Sequence, residues 1–136
     1  MSLNLKGGLK CVNTYTVEEQ HTAKHIGSGS LKVLATPAMI AFMEHTAMIC
    51  VEKYLPKGMT TVGTHVDVRH KLPVPLGAKV KVEAILEKVD GRRLIFSVKA
   101  FLGDRIVGEG IHERYIVDVS KFLEKVKKVM EEVETG

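Results

Sequence analysis

From residue 60 to residue 119 the chain repeats one pattern four times: apolar and polar residues alternate, and short turn signals break the run. "KVKVEAILEKV" (79–89) sets Val80, Val82, Ala84 and Leu86 on one side of an extended segment and mostly charges on the other. Side chains of a strand point alternately to its two faces, so this segment reads as a half-buried strand. Asp90-Gly91 follows, a strong hairpin signal. "RRLIFSVKAF" (92–101) then repeats the alternation with Leu94, Phe96, Val98 and Ala100. Gly103-Asp104 turns the chain into "RIVGEGIHERYIVDV" (105–119), where Gly108 and Gly110 share a face that another backbone can approach closely. Strands joined this tightly lie antiparallel. "TTVGTHVDVRH" (60–70) supplies another, with Val62, Thr64, Val66, Val68 and His70 on one face, and "KCVNTYTVEE" (10–19) partly alternates as a first strand.

Such a sheet needs a cover. The chain offers one mostly apolar helix from about 37 to 54, with Thr36 as N-cap and Pro37 at the first helical position, stopped by "LPKG" (55–58). The pattern predicts an α+β fold in which one face of an antiparallel sheet covers the helix. The helix is nearly too apolar for one side of a small sheet. The sheet is therefore expected to curl around it, with a second subunit covering the remainder. A closing amphipathic helix is expected after Ser120, carrying Leu123, Val126, Met130 and Val133 at helical spacing. At 136 residues, 45% hydrophobic and 26% charged, residues 1–136 form one domain with a real core.

The net charge of +4 favours a small anionic partner. It does not point to nucleic acid, because the basic residues are spread along the chain and only 3 Tyr and 4 Phe are available to stack bases. No apolar run is long enough to span a membrane, and the opening "MSLNLKGGLK" lacks an apolar signal core. A cytoplasmic protein is expected. Cys11 and Cys50 form no CxxC pair and read as two reduced, buried thiols.

One residue sits badly in the helix. On a wheel of about 100° per residue, Glu44 shares its face with Ile40, Ala41, Ala47, Met48 and Val51, all apolar. An uncompensated carboxylate in an apolar site is costly, so it finds a partner or shifts its pKa, and such acids cluster at working sites. The bland alternative is a structural acid hydrogen-bonded to a neighbour. At the helix start, Thr36 stands beside free backbone N–H groups and the positive end of the helix dipole, a place for developing negative charge. Pro37 has no N–H, so Ala38 and Met39 are the first donors in line. His70 is expected to face the helix, and a histidine converging with a carboxylate is an acid–base arrangement. Arg114 shares a face with Gly108, Gly110 and His112, where a cation needs an anionic partner or an interface. His65 and His70 point to opposite faces, and "HTAKH" (21–25) lacks the glutamate of HExxH, so no metal is expected. "GSGS" (27–30) has no following Lys-Ser or Lys-Thr and is not a P-loop.

Taken together, "VLATPAMIAFMEHTA", "VGTHVDVRHKLPVPLG" and "GEGIHERYIV" resemble the fluoroacetyl-CoA thioesterase-like group of hotdog-fold proteins, over residues 10 to 118. The resemblance implies a long helix wrapped by an antiparallel sheet and active sites at the interface of a homodimer, with higher assembly left open. It carries the family's Thr–Glu–His catalytic set onto Thr36, Glu44 and His70, and its active-site glycine and arginine onto Gly63 and Arg114. The implied activity is hydrolysis of an acyl-CoA, with Glu44 activating water or attacking directly, and with CoA entering only as part of the substrate and no other cofactor. The fluoroacetate-specialised enzyme carries a phenylalanine lid before the helix. Here that stretch reads "HIGSGSL", without an aromatic residue, so ordinary short acyl-CoAs are the expected substrates. The rivals are a non-catalytic acyl-CoA binding module of the same fold and a hydratase acting on enoyl thioesters.

Overall fold

The computed structural model describes residues 5–135; the first four residues of the segment read for export lie outside it. Five strands, β1 (Lys10–Thr16), β2 (Met59–His70), β3 (Lys79–Asp90), β4 (Arg93–Leu102) and β5 (Arg105–Asp118), form one antiparallel sheet in the order β1-β3-β4-β5-β2. A 3₁₀ turn (Glu19–His21) and the short helix α1 (Ala23–Ile26) lead into α2 (Thr36–Glu52), which packs against all five strands. The chain ends in α3 (Val119–Thr135).

The alternation read from the sequence sets the core. Val80, Val82, Ala84, Leu86, Leu94, Phe96, Val98 and Ala100 are at most 1% exposed and face α2. Removing one large apolar side chain of this kind from water contributes about 1.5–3 kcal/mol. The turn at Asp90-Gly91 closes with Asp90 opposite Arg93 and Gly91 at φ 62°; Gly103 at φ 62° closes the next. A two-residue hairpin that matches the strand twist needs this positive φ at its first central residue, and glycine adopts it at little steric cost.

Strand β2 departs from strict period 2. Its register against β5 shifts between Gly63 and His65, where a β-bulge inserts one residue. Beyond the bulge Val66, Val68 and His70 face inward, as expected. Before it the inward positions are Thr61 and Gly63, opposite Ile116 and Arg114, and not Val62 and Thr64. Gly108 and Gly110 do meet a close backbone, and it is that of β2: a Cβ on Gly108 would lie 2.7 Å from the Arg69 carbonyl oxygen, and one on Gly110 2.6 Å from the Val68 Cα.

Three further expectations need correction. The N-cap of α2 is Ala35, which offers no side-chain cap, so Thr36 is the first helical residue and its hydroxyl is not spent on capping. The buried face of α2 is Ala38, Met39, Phe42, Met43, Thr46, Ala47, Cys50 and Val51. Glu44 lies beside it, half-buried, and of its wheel neighbours Ala47 and Val51 are buried, Ile40 and Met48 half-buried and Ala41 exposed. Thr46 belongs to the buried stripe because its hydroxyl donates to the Phe42 carbonyl at 2.8 Å. Finally, Cys11 and Cys50 are not free thiols. They form a disulfide with Cα atoms 5.5 Å apart, which ties β1 to α2.

Helix α3 has the expected amphipathic pattern, but Leu123, Val126, Met130 and Val133 are each more than half exposed in the single chain. Among the described residues, no helix is long and apolar enough to cross a membrane.

Candidate active site

The first turn of α2 and the end of β2 place Thr36 against His70, with Thr36 Oγ1 2.8 Å from His70 Nδ1. The other ring nitrogen, Nε2, lies 3.1 Å from the Leu72 carbonyl oxygen, which only accepts. Nε2 therefore carries the proton, and in the neutral ring Nδ1 accepts from the Thr36 hydroxyl. Beside the pair opens a cavity of about 390 Å³ lined by Ser28, Leu34, Pro37, Leu72 and Pro73 among others. A hydroxyl polarised by an imidazole at the mouth of a partly apolar cavity is equipped for acid–base work on a small ligand.

Glu44, Gly63 and Arg114 form a second group. Gly63 stands opposite Arg114 in the β2–β5 ladder, on the face beneath α2. A Cβ on Gly63 would lie 2.7 Å from Glu44 Oε2, 3.3 Å from His112 Cε1 and 3.4 Å from Arg114 Nη1. The missing side chain thus leaves one small space bordered by a carboxylate, an imidazole and a guanidinium. Arg114 is only 6% exposed and is held at three points. Its Nε donates to Thr61 Oγ1 (2.8 Å), its Nη2 to the Thr61 carbonyl (3.0 Å) and its Nη1 to His112 Nε2 (3.1 Å). Burial lowers the Arg114 pKa, while the charges of Glu44 and Glu52 act the other way.

His112 is 1% exposed, and its Nδ1 donates to the His65 carbonyl at 2.8 Å. Burial is the main cause of its lowered pKa; the Arg114 charge works in the same direction, and the His65 carbonyl and Glu44 oppose it.

The chain therefore brings together Thr36 with His70, and Glu44 with Gly63 and Arg114, but it does not join the two groups. Thr36 and Glu44 are eight residues apart on one helix, a rise of about 12 Å. Of the two backbone donors expected at the helix start, Met39 is removed: its N–H donates to the Ala35 carbonyl at 3.0 Å, the first regular bond of α2. Ala38, one residue earlier, has no partner four residues back within the helix. His112 and Thr61 were not singled out from the sequence. His112 shares a period-2 face with Arg114, which was the available signal, whereas Thr61 turns inward only because of the bulge.

A family model described as fluoroacetyl-CoA-specific thioesterase matches residues 17–120. The fluoroacetyl-CoA thioesterase of Streptantibioticus cattleyicolor is 31% identical over 134 residues, which cover 94% of this chain and 96% of that protein. A solved variant of a fluoroacetyl-CoA-specific thioesterase in complex with fluoroacetate and CoA superposes with a TM-score of 0.83 at 31% identity, over 87% of this chain and 99% of that one. A thioesterase superfamily member from Thermus thermophilus superposes with a TM-score of 0.87 at 26% identity, over 96% and 97% of the two chains. With its sheet-wrapped helix and near full-length match to these proteins, the chain belongs to the fluoroacetyl-CoA thioesterase-like family of hotdog-fold acyl-CoA thioesterases.

Proposed function

We propose that this protein hydrolyses small acyl-CoA thioesters to the free acid and CoA. Each site of a homodimer is built from Thr36 and His70 of one protomer and Glu44, Gly63 and Arg114 of the other. The observation that carries this reading is the Thr36–His70 hydrogen bond at the mouth of a cavity, with the tautomer fixed by Leu72. A two-fold pairing supplies the carboxylate that one chain holds some 12 Å away along α2. Two uncovered surfaces support such a pairing. Strand β2 is an edge of the sheet, and α2 leaves Ile40, Ala41, Met48 and Ile49 outside the stripe that its own sheet covers.

The chemistry makes modest demands. A thiol of pKa about 8.5 leaves readily as thiolate, so the site must supply a nucleophile and hold the carbonyl oxyanion. Glu44 draws a proton from water as the oxygen adds to the thioester carbonyl, or adds to that carbonyl itself. The C–S bond then breaks and CoA leaves as thiolate; on the direct route this leaves the acyl group as an anhydride on Glu44, which water hydrolyses to the free acid and the Glu44 carboxylate. His70 takes or returns a proton through the Thr36 hydroxyl, and Thr36 orients the reacting groups. The Ala38 N–H at the positive end of α2 faces the oxyanion. A binding module has no evident use for this acid–base set, which favours turnover over mere binding. No enoyl hydratase signature is evident in the sequence.

The stretch before α2 reads Ser28-Gly29-Ser30, without the aromatic lid that the family resemblance implies for a fluoroacetate-specialised site, and this supports ordinary short acyl-CoAs as the substrates. The test is an acyl-CoA panel read by thiol release, with fluoroacetyl-CoA and an enoyl-CoA included. The expected result is hydrolysis of several short acyl-CoAs. A fluoroacetyl-CoA preference of about 10²-fold in kcat/KM, about 2.7 kcal/mol, contradicts the substrate reading. Hydration without thiol release contradicts the reaction.

The cytoplasm, where CoA thioesters are made and used, is the setting we propose for this work. The Cys11–Cys50 bond would then be one of the exceptions to the reduced thiols usual there.

A further inference from the structure

We infer that His112 is a positioning residue: its neutral imidazole, anchored on the His65 carbonyl at the β2 bulge, fixes the Arg114 guanidinium beside the space that Gly63 leaves open. The inference rests on the reading that Arg114 belongs to the substrate site. It goes beyond that reading by naming what holds Arg114 in place and under which conditions the hold fails.

The hydrogen-bond directions leave one arrangement. The His65 carbonyl can only accept, so His112 Nδ1 carries a proton. A guanidinium can only donate, so His112 Nε2 offers its lone pair to Arg114 Nη1. The ring is therefore neutral with its proton on Nδ1. Three of the five Arg114 N–H groups are spent, two on Thr61 and one on His112. One N–H on Nη1 and one on Nη2 are left for a ligand oxygen. The Thr61 bonds hold the Nε and Nη2 side of the fork, and His112 holds Nη1, the atom nearest the Gly63 space. The ring is buried beside Phe96 of β4, with centroids 6.4 Å apart and planes 25° from parallel.

Protonating His112 replaces the acceptor with a second donor and sets two cations face to face. The charged and titratable groups around the ring are Arg114 on its own strand, Glu44 on α2 and His65 on β2. Burial, with the Arg114 charge beside it, outweighs the His65 carbonyl and Glu44 and holds the ring below its ordinary value of about 6.5. The acceptor form is thus in place at neutral pH and is lost as pH falls through the folded-state value. The same shift contributes stability that is complete above about 6.5 and declines as pH drops below it.

Three measurements test this. Long-range ¹H–¹⁵N NMR of the wild-type protein at pH 7.5 should show His112 neutral with the proton on Nδ1. An Nε2–H tautomer or an imidazolium overturns the inference, whatever the variants do. His112→Phe fills the space but accepts nothing, and should lower kcat/KM by about 10–100-fold, the scale expected for a misplaced binding group. His112→Gln accepts through its side-chain carbonyl without titrating. It should recover most of that loss and remove the His112-linked part of the fall in kcat/KM on the acid side. A folded Phe variant with wild-type kcat/KM, or a Gln variant as impaired as Phe, refutes the positioning role. Arg114→Lys separates the two levels: if it turns over like wild type, the placing of Arg114 in the substrate site has failed, and the NMR result still decides the anchoring.

Discussion

At Gly63 the absence of a side chain is what keeps Glu44 where it is. The atom that an added Cβ would meet first, at 2.7 Å, is the end of the flexible Glu44 side chain and not backbone. Gly63→Ala should therefore fold with a stability change within about 1 kcal/mol, because the displaced atom can move aside. A carboxylate moved by about 1 Å can lose about 10²-fold in turnover, so kcat should fall by at least 10-fold in the same preparation. Glu44→Gln keeps the shape and removes the basicity, and kcat should fall by about 10²–10⁴-fold. Its thermal midpoint should move little, because Arg114 keeps its bonds to Thr61 and His112. A destabilised but fully active Glu44→Gln variant would refute the catalytic role. At this scale the sequence singled out Glu44 as a candidate through its mismatch with the wheel, although the expected surroundings were partly wrong. Glu44 flanks the buried stripe and does not occupy its middle, because the sheet covers the face centred on Met39, Met43 and Ala47. The residue pattern alone spent the Thr36 hydroxyl on capping, and only the family resemblance pointed it at His70, because cap and first helical residue differ by one position and the choice depends on backbone angles at Ala35.

Among elements, the strands were legible because burial on one face forces period 2, and β3, β4 and β5 appear within a residue or so of the segments read from the sequence. Two features were not legible, and both depend on contacts between distant segments. The bulge at Gly63–His65 changes which residues of β2 face α2, and only pairing with β5 reveals it. The Cys11–Cys50 bond joins residues separated by 39 positions, which spacing alone cannot pair. A cross-link closing a loop of that length restricts the unfolded chain by about 4 kcal/mol in the chain-entropy model. Reducing the wild-type protein under native conditions should lower its unfolding free energy by up to about that amount while the Thr36–His70 site still turns over. Thiol trapping followed by mass spectrometry reads the bond, and denaturant melts of the oxidised and reduced forms read its contribution. Equal melts of the two forms would show that the bond does not constrain the fold.

For the whole molecule, the sequence suggested a helix with more apolar surface than one small sheet can cover, and the single chain leaves Ile49 41% exposed at the edge of that surface. Light scattering at micromolar concentration should give a dimer, and a stable monomer would remove the partner that the proposed site requires. The most direct measurement mixes two inactive proteins, His70→Ala and Glu44→Gln, under conditions where protomers exchange. In the shared-site model each mixed dimer regains one intact site, with His70 from one chain and Glu44 from the other, so activity should rise to about a quarter of wild type by the statistics of a two-fold dimer. If both groups act within one chain, no mixed dimer holds an intact site, and a mixture that stays inactive despite demonstrated exchange would contradict the model.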